Sequence, residues 1–211
     1  MTNKASTGNF FEDFSLGQVI HHATPRTITE GDAALYTALT GSRFLLTSSV
    51  EAAKSCGHKK QLLDDILVFH IAFGKTVNDI SFNAVANLGY ADVQFLMPVY
   101  VGDTLAVSSK VIGLRENKSG KSGIVYVHST ATNQQMQTVL SFKRWVMVHK
   151  KDANSAKAKA KTQIPELPES VAENNWHIPE FLNFKNLDFN LTGSTYCAID
   201  YQIGESIDHL E

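Results

Sequence analysis

Residues 62–80, LLDDILVFHIAFGKTVNDI, constrain the fold more than any other stretch of the chain. At helical spacing, Ile66, Leu67, Val68, Phe69, Ile71, Ala72, Phe73 and Val77 leave no polar stripe wide enough to face water. A helix that is apolar nearly all round belongs in a core. This one is too short and too interrupted to span a bilayer, which takes about 20 apolar residues. Asp64 and Asp65 stand where an N-cap and a first turn would be, and carboxylates are favoured there by unpaired N–H groups and the helix dipole. His70, a single polar residue embedded in the middle, reads either as a satisfied core histidine or as a functional one. Such a helix needs other elements wrapped around it.

The flanking sequence supplies them. Residues 10–20 read as a turn entering a short strand that continues over 21–26. Thr29 followed by Asp32 resembles a capping box with Asp in place of Glu, opening a helix through Leu35 and Leu39, and Gly41 is a natural stop. A short helix is expected over 50–56. From Asn83 onward the pattern is β. Residues 93–101 contain Pro98 and lead into Gly102-Asp103, which predicts an edge or bulged strand ending in a turn. Residues 105–114 alternate Leu105, Val107, Ser109 and Val111 with polar neighbours, and strands are expected again over 124–132 and 139–148. Two successive hairpins make an antiparallel sheet. The expected class is α+β, a long central helix wrapped by that sheet.

Residues 150–175 are polar, with Lys157, Lys159 and Lys161 at alternate positions and Pro165 and Pro168 further on. They read as a solvated linker rather than a nucleic-acid patch, because aromatics are absent. A net charge of −2 over 211 residues gives no electrostatic footprint for nucleic acid either. Cys56 and Cys197 are the two cysteines and form no CxxC pair, and His21, His22, His58, His128 and His149 show no metal spacing, so no metal is expected. The first fifteen residues lack an apolar signal region, which predicts a cytoplasmic protein without membrane association.

Beyond the linker the chain begins again. Asp13-Phe14-Ser15-Leu16-Gly17, then Ile20 and His22, is matched by Asp200-Tyr201-Gln202-Ile203-Gly204, then Ile207 and His209. The offset is constant, since 200 − 13 and 209 − 22 both give 187. The expected organisation is a domain over 8–150, a linker over 151–189 and the start of a truncated second copy over 190–211.

The run Phe95-Leu96-Met97-Pro98-Val99-Tyr100-Val101-Gly102-Asp103-Thr104-Leu105 resembles the "F-x-x-P-V-x-x-G-D-T-L" element of the MaoC-like hydratase family, which has the hot-dog fold. Phe14-Ser15-Leu16-Gly17 resembles that family's opening strand. Within the family, residues 63–70 and 83–90 look like the two-domain mesaconyl-CoA hydratases, also called β-methylmalyl-CoA dehydratases. The resemblance implies reversible hydration of a CoA-linked enoyl substrate of a branched dicarboxylic type, such as mesaconyl-CoA, and no cofactor beyond the CoA carried by the substrate. It also implies a homodimer, or a pseudo-dimer with a second hot-dog repeat. Two alternatives stand beside it: a non-catalytic acyl-CoA-binding half, and an acyl-CoA thioesterase.

One departure matters. Laid on the family's "T-G-D-x-N-P-x-H", the chain reads Thr40-Gly41-Ser42-Arg43-Phe44-Leu45-Leu46-Thr47, so Ser42 and Thr47 stand where the resemblance implies an acid/base aspartate and a histidine. Hydroxyls titrate far above neutral pH and serve neither role unaided. The candidate catalytic residues are therefore Asp65, His70 and Asp64, with a capping role as the plain structural reading of the two aspartates. Asp65 and His70 lie five positions apart, about 140° round a helix, and do not share a face. Arg43 is a candidate for a substrate carboxylate because a guanidinium fork binds carboxylate in bidentate geometry. Ser42 beside it, and Gly74, where CoA or a second helix could approach closely, complete the candidate binding set.

Overall fold

The computed structural model describes residues 7–152 and 162–208. A five-stranded antiparallel sheet carries the domain, built from β1 (Val19–Thr27), β2 (Ala84–Phe95), β3 (Thr104–Glu116), β4 (Ser122–Thr132) and β5 (Thr138–His149). Its order is β1-β3-β4-β5-β2, so β1 and β2 are the edges. Four helices precede most of it: α1 (Glu30–Thr40), α2 (Leu45–Ser48), α3 (Val50–Ser55) and α4 (Asp65–Thr76). The α+β class stands, with α4 laid against the sheet.

Local chemistry sets the helix ends. Thr29 caps α1: its hydroxyl accepts from the Asp32 N–H at 3.3 Å while the Asp32 carboxylate accepts from the Thr29 N–H at 2.9 Å. Gly41 closes the helix in the left-handed region at φ 63°, where a side chain would be strained. The last turn of α4 widens into a π turn over Val77–Ser81 before β2 begins.

Two expectations need correction. The helix at the centre is buried on one side rather than all round. Leu67, Val68, Ile71, Ala72 and Thr76 are buried, whereas Ile66 is 48% exposed and Asp65, His70 and Gly74 are open. The sheet covers one face of the helix, and among the described residues the opposite face stays open. His70 is accordingly not a core histidine. The edge strand occupies Ala84–Phe95 instead of 93–101, and Pro98 falls after it. Pro98 cannot donate to a ladder, and the strand instead pairs with β5 through three register shifts. Asp92 there adopts φ 52°. Gly89 leaves room for the Trp145 ring, which a Cβ would strike. A further short helix, α2, precedes the expected one.

The core falls into two clusters on the face of the sheet that meets α4. One joins Leu67, Val68, Ile71 and Ala72 to Val107, Ala131, Leu140 and Phe142; the other joins Phe11, Phe14 and Ile80 to Val111, Val127 and Val146. Each fully buried aliphatic side chain here contributes about 1.5–3 kcal/mol. A polar row runs between the clusters. Ser109 sits between Val107 and Val111, Ser129 between Val127 and Ala131, and Arg144 between Phe142 and Val146, each replacing the apolar residue that strand alternation would put there.

After the gap, Gln163 and Leu114 exchange backbone hydrogen bonds at 2.9 Å. The chain then crosses to α3, where the Asn183 N–H donates to the Cys56 carbonyl at 3.0 Å and Leu187 packs against Leu46, Ala52, Cys56 and Leu62. Residues 176–184 thus lie as a strap on the domain. Further on, Ile199 and Ile203 are 92% and 109% exposed. Lys157, Lys159, Lys161 and His209 lie outside the described residues.

The repeated motif has a repeated shape. Phe11–Asp13 and Ala198–Asp200 are both 3-10 turns closed by a backbone N–H donating to an aspartate, Phe10 to Asp13 at 2.9 Å and Cys197 to Asp200 at 2.6 Å. The Ser15 N–H donates to the Gln18 side chain at 2.9 Å, and the Gln202 N–H to the Glu205 carboxylate at 3.0 Å. Gly17 and Gly204 follow with φ 80° and 86°. Phe14 is buried in the second cluster, while its counterpart Tyr201 remains exposed.

Candidate functional site

The first turn of α4 is held from two sides. The Leu63 N–H donates to the Val99 carbonyl at 2.9 Å, which fixes the approach to the helix. Asp64 is the N-cap: one carboxylate oxygen accepts from the Ile66 N–H at 2.9 Å and the other from the Ser42 hydroxyl at 2.9 Å. Two of the candidate residues therefore meet, and they do so through a cap.

Asp65 follows as the first helical residue and lines a cavity of about 240 Å³ with Phe44, Leu46, Leu62, Phe95, Met97 and Leu182 among its walls. Its side chain is exposed by area, yet the walls strip water from the carboxyl. Desolvation, and then the neighbouring Asp64 charge, push its pKa up to about 6. No hydrogen-bond partner reaches Asp65 among the described residues. His58 and His177 line the same cavity. His58 is buried, with Nδ1 2.9 Å from the Tyr100 hydroxyl and the Phe181 ring edge-on at 5.5 Å, and burial lowers its pKa.

His70 and Gly74 stand apart from that cavity. They line a groove of about 420 Å³ between α1 and α4 with Arg26, Leu39 and Lys75. The His70 ring lies 6.3 Å from Tyr36 and 6.1 Å from Phe69. A Cβ at Gly74 would meet nothing within 4 Å, so this glycine does not serve close packing within the chain. Arg43 is exposed, and its neighbour Phe44 lines the Asp65 cavity. The structure thus joins Ser42 to Asp64, gives Asp65 the cavity, and separates both from His70.

Sequence reasoning missed His58, His177 and the strap. His58 follows a glycine in a segment without periodicity, and His177 lies over a hundred positions from Asp65. Nothing local marks either. It also missed a buried relay in the polar row. His22 Nδ1 is 2.6 Å from Asp79, His22 Nε2 is 2.8 Å from the Ser109 hydroxyl, and Ser109 is 2.7 Å from Ser129. A carboxylate only accepts, so neutral His22 carries its proton on Nδ1 and accepts from Ser109. The order Asp–His–Ser has the geometry of a nucleophilic triad, but Ser109 is 1% exposed and a substrate cannot reach it. Its role is structural.

Among the described residues no group of three His, Cys, Asp or Glu side chains could hold a metal ion. No described helix is long and apolar enough to cross a membrane.

A five-stranded antiparallel sheet with a helix laid against it has counterparts among known proteins. The chain is 55% identical over 211 residues to a β-methylmalyl-CoA dehydratase of Chloroflexus aurantiacus, covering all of this chain and 59% of that protein. It is 50% identical over 208 residues to a mesaconyl-CoA hydratase of Cereibacter sphaeroides, covering 99% of this chain and 60% of that protein. It therefore spans about three-fifths of the length of these relatives. A crystal structure of a MaoC-domain dehydratase from Chloroflexus aurantiacus superposes with a TM-score of 0.92 at 54% identity, over all of this chain and 59% of the other. A Mycobacterium tuberculosis protein described as a double hot-dog fold superposes with a TM-score of 0.65 at 26% identity, over 83% of this chain and 55% of the other. The wrapped helix, the sheet order and a match of residues 13–133 to the MaoC like domain lead to one assignment: the chain belongs to the MaoC-like family of hot-dog proteins.

Proposed function

We propose that this chain forms one half of an enzyme that reversibly hydrates and dehydrates a CoA-linked enoyl substrate, of the mesaconyl-CoA and β-methylmalyl-CoA type. The observation that carries the reading is the Asp65 carboxyl, held near pKa 6 in an apolar cavity at the start of the central helix. Hydration adds the hydroxyl of water to C3 and a proton to C2. Ionised Asp65 takes a proton from the attacking water, and once protonated it can return one to C2. First-turn N–H groups of α4 polarise the thioester carbonyl, although Asp64 already engages that of Ile66. The names of the two relatives support the same reaction class. The motif that starts again at Cys197, with exposed apolar residues after it, supports a second hot-dog repeat as the other half.

A second reading is an acyl-binding half without chemistry. It draws on Ser42, a hydroxyl committed to Asp64 where the family pattern has an acid, and on the lack of a histidine bonded to Asp65 among the described residues.

The test is a hydration assay on mesaconyl-CoA and crotonyl-CoA, following loss of enoyl absorbance. This chain and a version extended through a full second repeat run side by side, with free thiol measured to detect thioester hydrolysis. Turnover by this chain that falls at least tenfold in Asp65→Asn supports the catalytic role. Turnover by the extended protein alone, unchanged in Asp65→Asn, assigns this half to binding. Inactivity of both sinks the hydratase reading.

A further inference from the structure

Three hollows meet at Met97. The Asp65 cavity shares Met97 and Pro98 with a hollow of about 530 Å³ that includes Lys59, Lys60 and Tyr100. Both adjoin an open hollow along the strap, lined by Met97, Trp176 and Phe181. Sharing these walls, the three lie side by side from Asp65 past Met97 and Pro98 to a pair of lysines.

The lysine end is positively charged. Both lysines are exposed, and among the described residues neither has a carboxylate within 4 Å. The Lys60 ammonium is held by the Val101 carbonyl at 3.1 Å and lies 5.6 Å from the Tyr100 ring centre. The acid of that hollow, Asp103, is already occupied: one oxygen accepts from the Tyr100 N–H at 2.8 Å and the other from the Gln134 amide at 2.8 Å. Two lysines against one carboxylate leave that hollow with a net positive charge, in a chain of net charge −2, and favour an anion there. Trp176 adds a flat apolar surface. It is 60% exposed, and its indole N–H donates to the Val171 carbonyl at 3.2 Å, which steadies the ring. Indole faces stack on nucleobases.

Resting on the reading of the Asp65 cavity as the acyl-thioester site, we propose that Lys59, Lys60 and Trp176 seat the phosphorylated nucleotide end of CoA. The pantetheine arm then crosses the Met97-Pro98 turn, which has an apolar thioether and no Pro98 N–H to leave unpaired. The lysines take phosphate oxygens as point charges, and the indole stacks on the adenine.

The test titrates this chain with desulfo-CoA, which cannot react, and follows tryptophan fluorescence. The chain has two tryptophans, so Trp176→Phe isolates Trp145. Desulfo-CoA and adenosine 3′,5′-bisphosphate should quench the wild type and not Trp176→Phe, and pantetheine should quench neither. Lys59→Ala/Lys60→Ala, at two exposed positions, should weaken desulfo-CoA about tenfold, with the remaining affinity less sensitive to salt. Equal quenching by pantetheine, unchanged affinity in the double variant, or no binding at all overturns the proposal. Normal desulfo-CoA binding without hydration of any enoyl thioester defeats the hydratase reading alone. Hydration with an unchanged KM for the CoA thioester in the double variant defeats the nucleotide seat alone.

Discussion

The Ser42 hydroxyl donates to the Asp64 carboxylate at 2.9 Å and so ties the turn after α1 to the first turn of α4. One carboxylate oxygen caps the helix and the other holds the loop. Removing the hydroxyl leaves the cap intact, so Ser42→Ala should cost only about 1 kcal/mol, the net worth of one hydrogen bond. Asp64→Ala removes both contacts and should cost about 2 kcal/mol, a lost N-cap added to a lost loop tie. Urea denaturation of the two variants checks the order. Equal losses would mean that the helix cap adds nothing beyond the loop contact, and no loss in Ser42→Ala would mean that the loop contact carries no energy.

Asp65 is expected to give the clearest pH signature. Its pKa rises from an ordinary 3.8 to about 6 in the fold. Between those values the folded state binds more protons than the unfolded chain, so stability falls as pH rises through that window and levels off above it. Asp65→Asn should remove that component and gain stability relative to wild type at pH 7 over its standing at pH 4. Thermal melts at both pH values measure it. If Asp65 acts as base, turnover should also rise through about pH 6, and Asp64→Asn should shift that rise downward, because the Asp64 charge is the second cause of the elevated pKa.

Arg144 makes a less intuitive prediction. Arg144 is 1% exposed; its guanidinium donates to the Thr76 hydroxyl at 2.8 Å and, more weakly, to the Ser81 hydroxyl of the π turn at 3.4 Å, and lies 4.6 Å from the Phe73 ring centre. Its Nε has no partner, and no carboxylate lies within 4 Å among the described residues. Desolvation lowers its pKa to about 10. A buried charge with this little compensation is costly, and an apolar residue of similar volume is often neutral or stabilising. Arg144→Met should leave stability within about 1 kcal/mol of wild type or raise it, since the Thr76 hydroxyl still donates to the Phe73 carbonyl at 2.7 Å. Arg144→Ala, which opens a cavity, should lose about 2–4 kcal/mol. A large loss in Arg144→Met as well would show that the guanidinium's hydrogen bonds hold the π turn.

Much of this was legible in the sequence because it is local. Thr29, Asp32 and Gly41 bound α1 through contacts three or four residues long, β3 and β5 alternate with period 2, and β4 is rich in β-branched residues. The edge strand β2 was less legible. Asn87 and Gly89 weaken its pattern, and its course depends on Trp145 arriving from β5. The exposed face of α4 was misread because hydrophobicity records what a helix can bury, not what this chain brings to cover it. At the site, helix geometry alone separated Asp65 from His70. The Ser42–Asp64 bond, and the cavity that Asp65 shares with His177, arise from tertiary packing and leave no local trace.

His22 supplies the last prediction, on the acid side. Its ring is fully buried between Asp79 and Ser109. Desolvation lowers its pKa more strongly than the Asp79 hydrogen bond and charge raise it, and the Arg144 charge lowers it further. A histidine depressed in this way is neutral in the fold and must take up a proton to unfold. Its contribution is therefore full above the ordinary histidine pKa near 6.5 and is lost as pH falls through and below it. This runs opposite to the Asp65 effect, so the two partly cancel below about pH 6. In an Asp65→Asn background the histidine component should stand alone, as a melting temperature that drops on acidification below about pH 6.5. His22→Gln in that background keeps a hydrogen-bonding side chain and removes the titration, so the drop should shrink while the melting temperature at pH 8 changes less than in His22→Ala. An unchanged acid slope in His22→Gln would assign the acid sensitivity to other groups.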